Sequence, residues 1–423
     1  MKKYIEVYNY YKKLIETKQL KYGDKLPSVR TATEILSVSK TTIQNAYFAL
    51  QADGYVVASP KSGYYVTELK NTSKIEKKKN IKTKSIIYDF KSGDADDESF
   101  DIKLWQRYIK NALRQHERLL SYGDGQGEYD LRLALSDYIR DKRNVTASSD
   151  RIVIGAGIQS LLAILCSLID ERETVSFPNE SFVKGITLFS DFGYNVKTRY
   201  KDAKIIYVSP SHMTTYGDVM PLKRRIELTQ YSEKNNSLII EDDFDSDFIY
   251  QNKTVPSLYA LTGCDNVVYI GSFSNVLIPG IRISFMVLTE KLSKKFNENK
   301  FKYAQAASKT EQIALCQYIR DGHINSQTRK IKKHYTLKAK TVYDYLKKEL
   351  SGSTVKLSDN GLQVLITAKF SGDINEFEKN KIALNILNYD NNILKISLTP
   401  SAVKQDDLII GAKLTASIIK KNQ

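Results

Sequence analysis

A chain of 423 residues with 42% hydrophobic and 26% charged side chains has room for two or three buried cores, which excludes a disordered or collagen-like polymer. Its three cysteines, Cys166, Cys264 and Cys316, are far apart and form no CxxC pair, an argument against a disulfide framework or a cysteine zinc site that fits a reducing compartment. The net charge of +16 is concentrated at one end: residues 1–70 carry 11 basic against 6 acidic side chains and residues 71–85 carry 6 against 1, so that end suits a polyanion.

The opening MKKYIEVYNYYKKL is broken by charges and lacks the apolar core of a signal peptide. Tyr4, Tyr8, Tyr11 and Ile15 fall on one face of a helix. Pro27 stops any continuation, and Ser28 can cap a second helix with Val29, Ala32 and Ile35 as its apolar members. Ser39 can cap a third, in which Ile43, Ala46, Tyr47 and Leu50 form the buried stripe. Its opposite face carries Lys40, Thr41, Gln44 and Asn45, polar side chains near a helix N-terminus that suit base edges and phosphates in a major groove. Asp53-Gly54 closes the helix, and Tyr55–Ala58 and Tyr64–Thr67 alternate like a hairpin around SPKSG, with Lys61 at the tip. Helix, helix-turn-helix and hairpin make a winged helix.

Residues 71–85 are lysine-rich, nearly free of large apolar side chains, and read as a flexible linker. Beyond them helical and strand patterns alternate. Ile152 to Ile169 runs 18 residues without a charge, yet Gly155, Gly157, Gln159 and Ser160 make it strand, glycine turn and buried helix rather than a membrane span. Lys204–Val208, Ser237–Ile240, Asn266–Ile270 and Arg282–Leu288 are short β-rich runs with amphipathic segments between several of them, the order of an α/β domain with a largely parallel sheet.

LPSVR, SKTTIQNAYFAL, DGYV and KSGYYV closely resemble the GntR-type DNA-binding domain. The resemblance implies that Arg30, Lys40, Thr41, Thr42 and Gln44 contact double-stranded operator DNA and that a wing with Lys61 and Gly63 reaches a neighbouring groove. Downstream, Asp89-Phe90, Trp105, YGDGQGEYDLR, GAGIQSLLAIL, SPSH, IIEDDFDSDF and YIGSFSNVLIPGIRISFMVL are similar, in order, to a fold-type I aminotransferase of the MocR subfamily. There such a domain follows a GntR head. The expected fold is therefore a winged helix-turn-helix over 1–70, a linker over 71–85, and a fold-type I PLP-transferase-like domain over 86–423, with a mostly parallel central sheet, flanking helices and a smaller α+β C-terminal subdomain.

Pyridoxal phosphate needs an anion cradle, a carboxylate for its pyridine nitrogen and a lysine amine for a Schiff base. By resemblance Asp242 is the carboxylate, Ser272 and Arg282 hold phosphate, and Tyr122 reaches the phosphate of a partner subunit. The lysine is missing: the S-x-S-K motif reads Ser272-Phe273-Ser274-Asn275. Phe244 stands where a tyrosine would meet the phenolic oxygen, Ile158 replaces a small hydroxyl residue, HMTTYG (His212–Gly217) lacks its proline, and Lys395 stands about where an arginine would clasp a substrate carboxylate. The resemblance implies a cytoplasmic, homodimeric transcriptional regulator, not an enzyme. Covalently bound pyridoxal phosphate is not expected; pyridoxamine phosphate, a preformed pyridoxal adduct or another small effector could be held non-covalently. A constitutive DNA-binding dimer with a vestigial pocket is the alternative, and an active aminotransferase would need an amine that position 275 lacks.

No metal is expected. Asp243, Asp245 and Asp247 alternate, but Phe248 and Thr254 occupy the glycine and acidic positions a calcium loop needs. GDGQG and GAG fit neither GxGxxG nor a P-loop, and His116, His212, His323 and His334 form no HExxH.

Overall fold

The computed structural model describes residues 3–60, 62–68, 86–213, 218–243, 246, 256–262 and 266–423. Lys61, Phe244, Asp245, Asp247, Cys264, the 71–85 linker and residues 214–217 of the HMTTYG loop lie outside the described residues. The chain forms two compact units, Met1–Thr83 and Lys84–Gln423.

In the first unit α1 (Lys3–Glu16), α2 (Val29–Leu36) and α3 (Lys40–Ala52) precede β1 (Val56–Ser59) and β2 (Gly63–Val66). Ser28 accepts the Thr31 N–H and Ser39 the Thr42 N–H, so both caps satisfy amides that a helix start leaves free. Ser37 turns the chain between α2 and α3 with φ 52°. β1 and β2 pair antiparallel from Val56↔Val66 to Ser59↔Gly63. Ile43, Ala46, Tyr47 and Leu50 are buried as the stripe requires, and Tyr47 meets Tyr11 and Tyr64 edge-on. Two expectations shift. On α1 the buried arc is Val7, Tyr11 and Ile15 while Tyr4 and Tyr8 are half-buried, because Tyr8 sends its hydroxyl outward to Asp53 at 2.5 Å. On α2 Ala32 alone is fully buried and Ile35 is 61% exposed.

The second unit is built on a seven-stranded sheet. In chain order its strands are β4 (Ile152–Gly155), β5 (Thr174–Phe177), β6 (Asn195–Thr198), β7 (Ile205–Val208), β8 (Leu238–Asp242), β9 (Val267–Ser272) and β10 (Ser284–Val287), in spatial order β4-β10-β9-β8-β7-β5-β6. β3 (Tyr88–Asp89) precedes them. All neighbours are parallel except β10, which is antiparallel to both β4 and β9. The Arg282–Leu288 run is thus a strand of opposite sense. Residues 273–283 contain no helix longer than the single 3-10 turn Pro279–Ile281, and a parallel return needs a crossover of about a dozen residues or more. Both faces are covered: Ile239, Val267 and Tyr269 pack into one core, Ile240, Val268 and Ile270 into the other, which is why these strands read as unbroken apolar runs.

A smaller antiparallel sheet follows, with β11 (Thr354–Leu357), β12 (Val364–Lys369), β14 (Asn385–Asp390) and β15 (Ile393–Leu398) in the order β11-β12-β15-β14. Between β12 and β14, β13 (Ile382–Ala383) pairs in parallel with β3. The 27-residue His323–Glu349 helix contributes side chains to both the large core and the smaller one. The Ile152–Ile169 run is β4, a turn with Gly157 at φ 91°, and the Ile158–Leu168 helix. Among the described residues no helix is long and apolar enough to cross a membrane.

Candidate functional site

On the head, Lys40, Thr41 and Asn45 are exposed and Gln44 is half-buried; Thr41, Gln44 and Asn45 lie on the side of α3 away from its buried stripe, whereas Lys40, in the first turn, lines up with Ile43 and Tyr47. Arg30 is exposed and faces Glu34 at 3.5 Å. Thr42 serves the cap: its hydroxyl lies 2.8 Å from that of Ser39. The amides of the first turn and the positive end of the helix favour an anion there. Gly63 has φ 121°, a conformation that disfavours other residues.

In the body, the end of β8 splits its carboxylates between the two faces of the sheet. Asp242 accepts the Tyr207 hydroxyl at 2.5 Å, and Tyr207 stacks between Phe177 and Phe182 at 4.9 and 5.3 Å. Burial and the Asp242 charge push the Tyr207 phenol well above its usual range, so it stays a donor. Asp243 points the other way, paired with Arg143 through Nε at 2.7 Å and Nη2 at 3.0 Å and bonded by the Tyr269 hydroxyl at 2.6 Å. Burial works against its ionisation, but the guanidinium outweighs burial and holds the carboxyl low. Glu241, on the same side as Asp243, accepts the Leu258 and Tyr259 amides at 2.8 and 2.9 Å. Burial, then the Asp243 charge, push it up to about 7. Among the described residues no group of acids, cysteines and histidines could hold a metal.

Beyond the tips of β4 and β9 lies a small cup. A Cβ on Gly157 would run into the Arg282 guanidinium, so the glycine lets the arginine lie over the start of the Ile158–Leu168 helix. Ser284 donates to the Ser272 hydroxyl at 3.0 Å, which in turn faces Ser274 at 3.3 Å. Two and three residues after Ser272, Ser274 and Asn275 line a cavity of about 230 Å³ with Lys91, His212, Tyr335 and Gln363 among its other walls. Asn275 is half-buried. Tyr122 is fully exposed. Lys395 is exposed on β15 and outside the lining. The strand ends thus bring Asp242, Ser272, Asn275 and Arg282 to one end of the large sheet, while Tyr122 stands apart on the surface.

Several participants escaped sequence reasoning. Lys91, Tyr335 and Gln363 line the cavity from the segment after β3, the long helix and the start of the small sheet, far apart in sequence and without motif spacing. Arg143 ends an ordinary-looking helix 100 residues before Asp243.

The model of bacterial regulatory proteins of the gntR family matches residues 3–66, and that of aminotransferase class I and II matches residues 85–371. The uncharacterized HTH-type transcriptional regulator YdeL of Bacillus subtilis (strain 168) is 31% identical, over 86% of this chain and 83% of its own. The chain belongs to the GntR-family HTH-type transcriptional regulators that carry an aminotransferase domain. The probable rhizopine catabolism regulatory protein MocR of Rhizobium meliloti is 26% identical over 82% of this chain and 78% of its own. For the body's fold, the Pyrococcus horikoshii kynurenine aminotransferase crystallised with PMP aligns with a TM-score of 0.68 at 19% identity, over 80% of this chain and 91% of that one. This regulator therefore joins a DNA-binding winged helix to a fold-type I aminotransferase domain.

Proposed function

We propose that this regulator reads operator DNA with Arg30, Lys40, Thr41, Thr42 and Gln44, with the Lys61–Gly63 wing in a neighbouring groove. The body would pair two copies, as two-fold operators require, and its pocket would sense a small effector held without a covalent bond. The fully exposed Tyr122 supports a role completed by a second copy. The setting is the reducing cytoplasm, in keeping with free buried Cys166 and Cys316.

The observation that supports this reading is a cup of hydroxyls and a guanidinium beside an amide side chain, Asn275. The crowding of Gly157 by Arg282 and the Ser272–Ser284 hydroxyl pair suit a phosphate, and Asp242 is a buried carboxylate suited to a pyridine nitrogen. These residues fit pyridoxamine phosphate or a pyridoxal–amino acid adduct, whose own chemistry is electron withdrawal through the ring. Asn275 supplies an amide, which cannot attack a carbonyl carbon as a lysine amine does, so no covalent anchoring or transamination is expected at this position. The domain acts as a sensor in place of an enzyme, and a ligand changes DNA binding only by favouring one arrangement of the body. A constitutive dimer with a vestigial pocket is the second reading, favoured by the Tyr207 bond that satisfies Asp242 without any ligand.

The test is to select duplexes from a randomised pool with the full-length protein and titrate the winner across salt, with and without pyridoxamine phosphate. Steeply salt-dependent binding, altered by the ligand, is the expected result. Binding indifferent to the ligand favours the second reading, and failure to enrich any duplex contradicts both.

A further inference from the structure

The side of α3 away from the core ends in a residue that neither packing nor charge explains. Thr41, Gln44, Asn45 and Phe48 stand at i, i+3, i+4 and i+7 of the helix, the spacing that places four side chains on one face. The helix that homeodomains lay in a major groove reads bases with residues so spaced. Phe48 is 58% exposed, while Ile43, Tyr47 and Leu50 of the same helix are fully buried. Tyr47 has ring partners in Tyr11 and Tyr64, whereas Phe48 meets no other ring among the described residues. A lone exposed apolar side chain is ordinary on a protein surface. Here it completes the row whose other members are Thr41, Gln44 and Asn45.

The chemistry of that row is of one kind. None of the four side chains is charged; Lys40 lines up with Ile43 and Tyr47 instead, and Arg30 on α2 faces Glu34 at 3.5 Å. Guanine is read most often by an arginine or lysine that donates to both its O6 and its N7, and the row holds no such donor. An amide such as that of Gln44 or Asn45 donates to N7 of adenine and accepts from its N6 amine. Thymine presents a 5-methyl group, an apolar feature in an otherwise polar groove. A phenyl ring can cover that methyl group and gain from its burial. Set against the cytosine amine or the guanine O6, the same ring would strip a polar atom of water and return no hydrogen bond.

We infer that α3 reads an A·T-rich half-site, with Gln44 and Asn45 on adenine and Phe48 against the 5-methyl group of a thymine. This rests on the DNA-reading face proposed above and adds the base composition it selects and a residue that selects it. Gln44 and Phe48 are about 6 Å apart along the helix axis, close to two steps of ~3.4 Å along a DNA strand. The thymine therefore lies within about two base pairs of the adenine that Gln44 contacts.

The test uses the full-length protein and the duplex it enriches from a randomised pool. The enriched half-site should be A·T-rich. Each of its thymines is then replaced in turn by deoxyuridine, which pairs in the same way and lacks only the methyl group. For the wild-type protein at least one replacement should weaken binding about fourfold, the worth of one buried methyl group. Phe48→Ala should bind the thymine and uracil forms of that position equally, and should melt with wild type because the side chain stands in solvent. A G·C core in the enriched half-site, uracil tolerated at every position, or an unchanged uracil penalty in Phe48→Ala overturns the inference and leaves operator binding standing. If no duplex is enriched, operator reading by α3 falls and the inference falls with it.

Discussion

The proposed DNA-reading face and the proposed ligand pocket are built in opposite ways. The face is local: Lys40, Thr41, Gln44 and Asn45 lie within one helix whose cap, Ser39, immediately precedes them. Its side chains need only stand in solvent, so residue type and helical spacing nearly determine them. The pocket gathers residues from the segment after β3, from loops after β7 and β9, from the long helix and from the small sheet. Its orientation depends on buried partners such as Gln327 and Asp96. Function at a surface is written in short spacing, whereas function in a cavity is written in contacts the fold must first create.

Breaking the buried side of this comparison should have the largest effect. Arg143→Met leaves Asp243 charged without its guanidinium, and removing one partner of a buried pair costs about 3–5 kcal/mol. Chemical denaturation should show that loss in the transition of the 84–423 unit. On the exposed side, Gln44→Ala should relax base discrimination by about 1–3 kcal/mol in competition binding if Gln44 makes a bidentate base contact. Lys40→Ala should instead weaken all duplexes alike and reduce the salt slope by about one.

Smaller changes sharpen the contrast. Ser39→Ala should destabilise the head by about 1 kcal/mol through the lost N-cap, read by urea denaturation. The Glu241 carboxyl, raised from 4.5 to about 7, binds its proton more tightly in the folded state than in the unfolded one. Its contribution is therefore full below about pH 4.5, declines as pH rises through 7, and is absent above. Glu241→Gln should flatten the fall in melting temperature between pH 5 and pH 8, a comparison that cancels any pH-independent cost of losing an amide contact.

The legibility of the chain follows the same division. Ser28 and Ser39 were readable as caps, and the stripe Ile43, Ala46, Tyr47, Leu50 as core, because helical geometry alone links those positions. The spacing on α1 gave the helix but favoured Tyr4 and Tyr8 over Val7, since an aromatic at a surface groove looks like core until its hydroxyl finds Asp53. The four downstream strands were readable from their apolar runs. The reversed sense of β10 was not, because it depends on how little chain separates it from β9. Asp242, Ser272, Asn275 and Arg282 were singled out through motif resemblance, whereas the meeting of Lys91 and Gln363 with Asn275 at one cavity and the Tyr207–Asp242 bond exist only once distant strands have been brought together.

The central claim is that the body keeps a cofactor-shaped pocket and has lost its covalent step at Asn275. The most direct measurement is titration of the wild-type protein and Asn275→Lys with pyridoxal phosphate, followed by borohydride reduction and mass analysis of peptides spanning residue 275. A reducible adduct at residue 275 in the variant, with none in the wild-type protein, is the expected result. A specific reducible adduct on another lysine of the wild-type protein, formed at comparable pyridoxal phosphate, would contradict it.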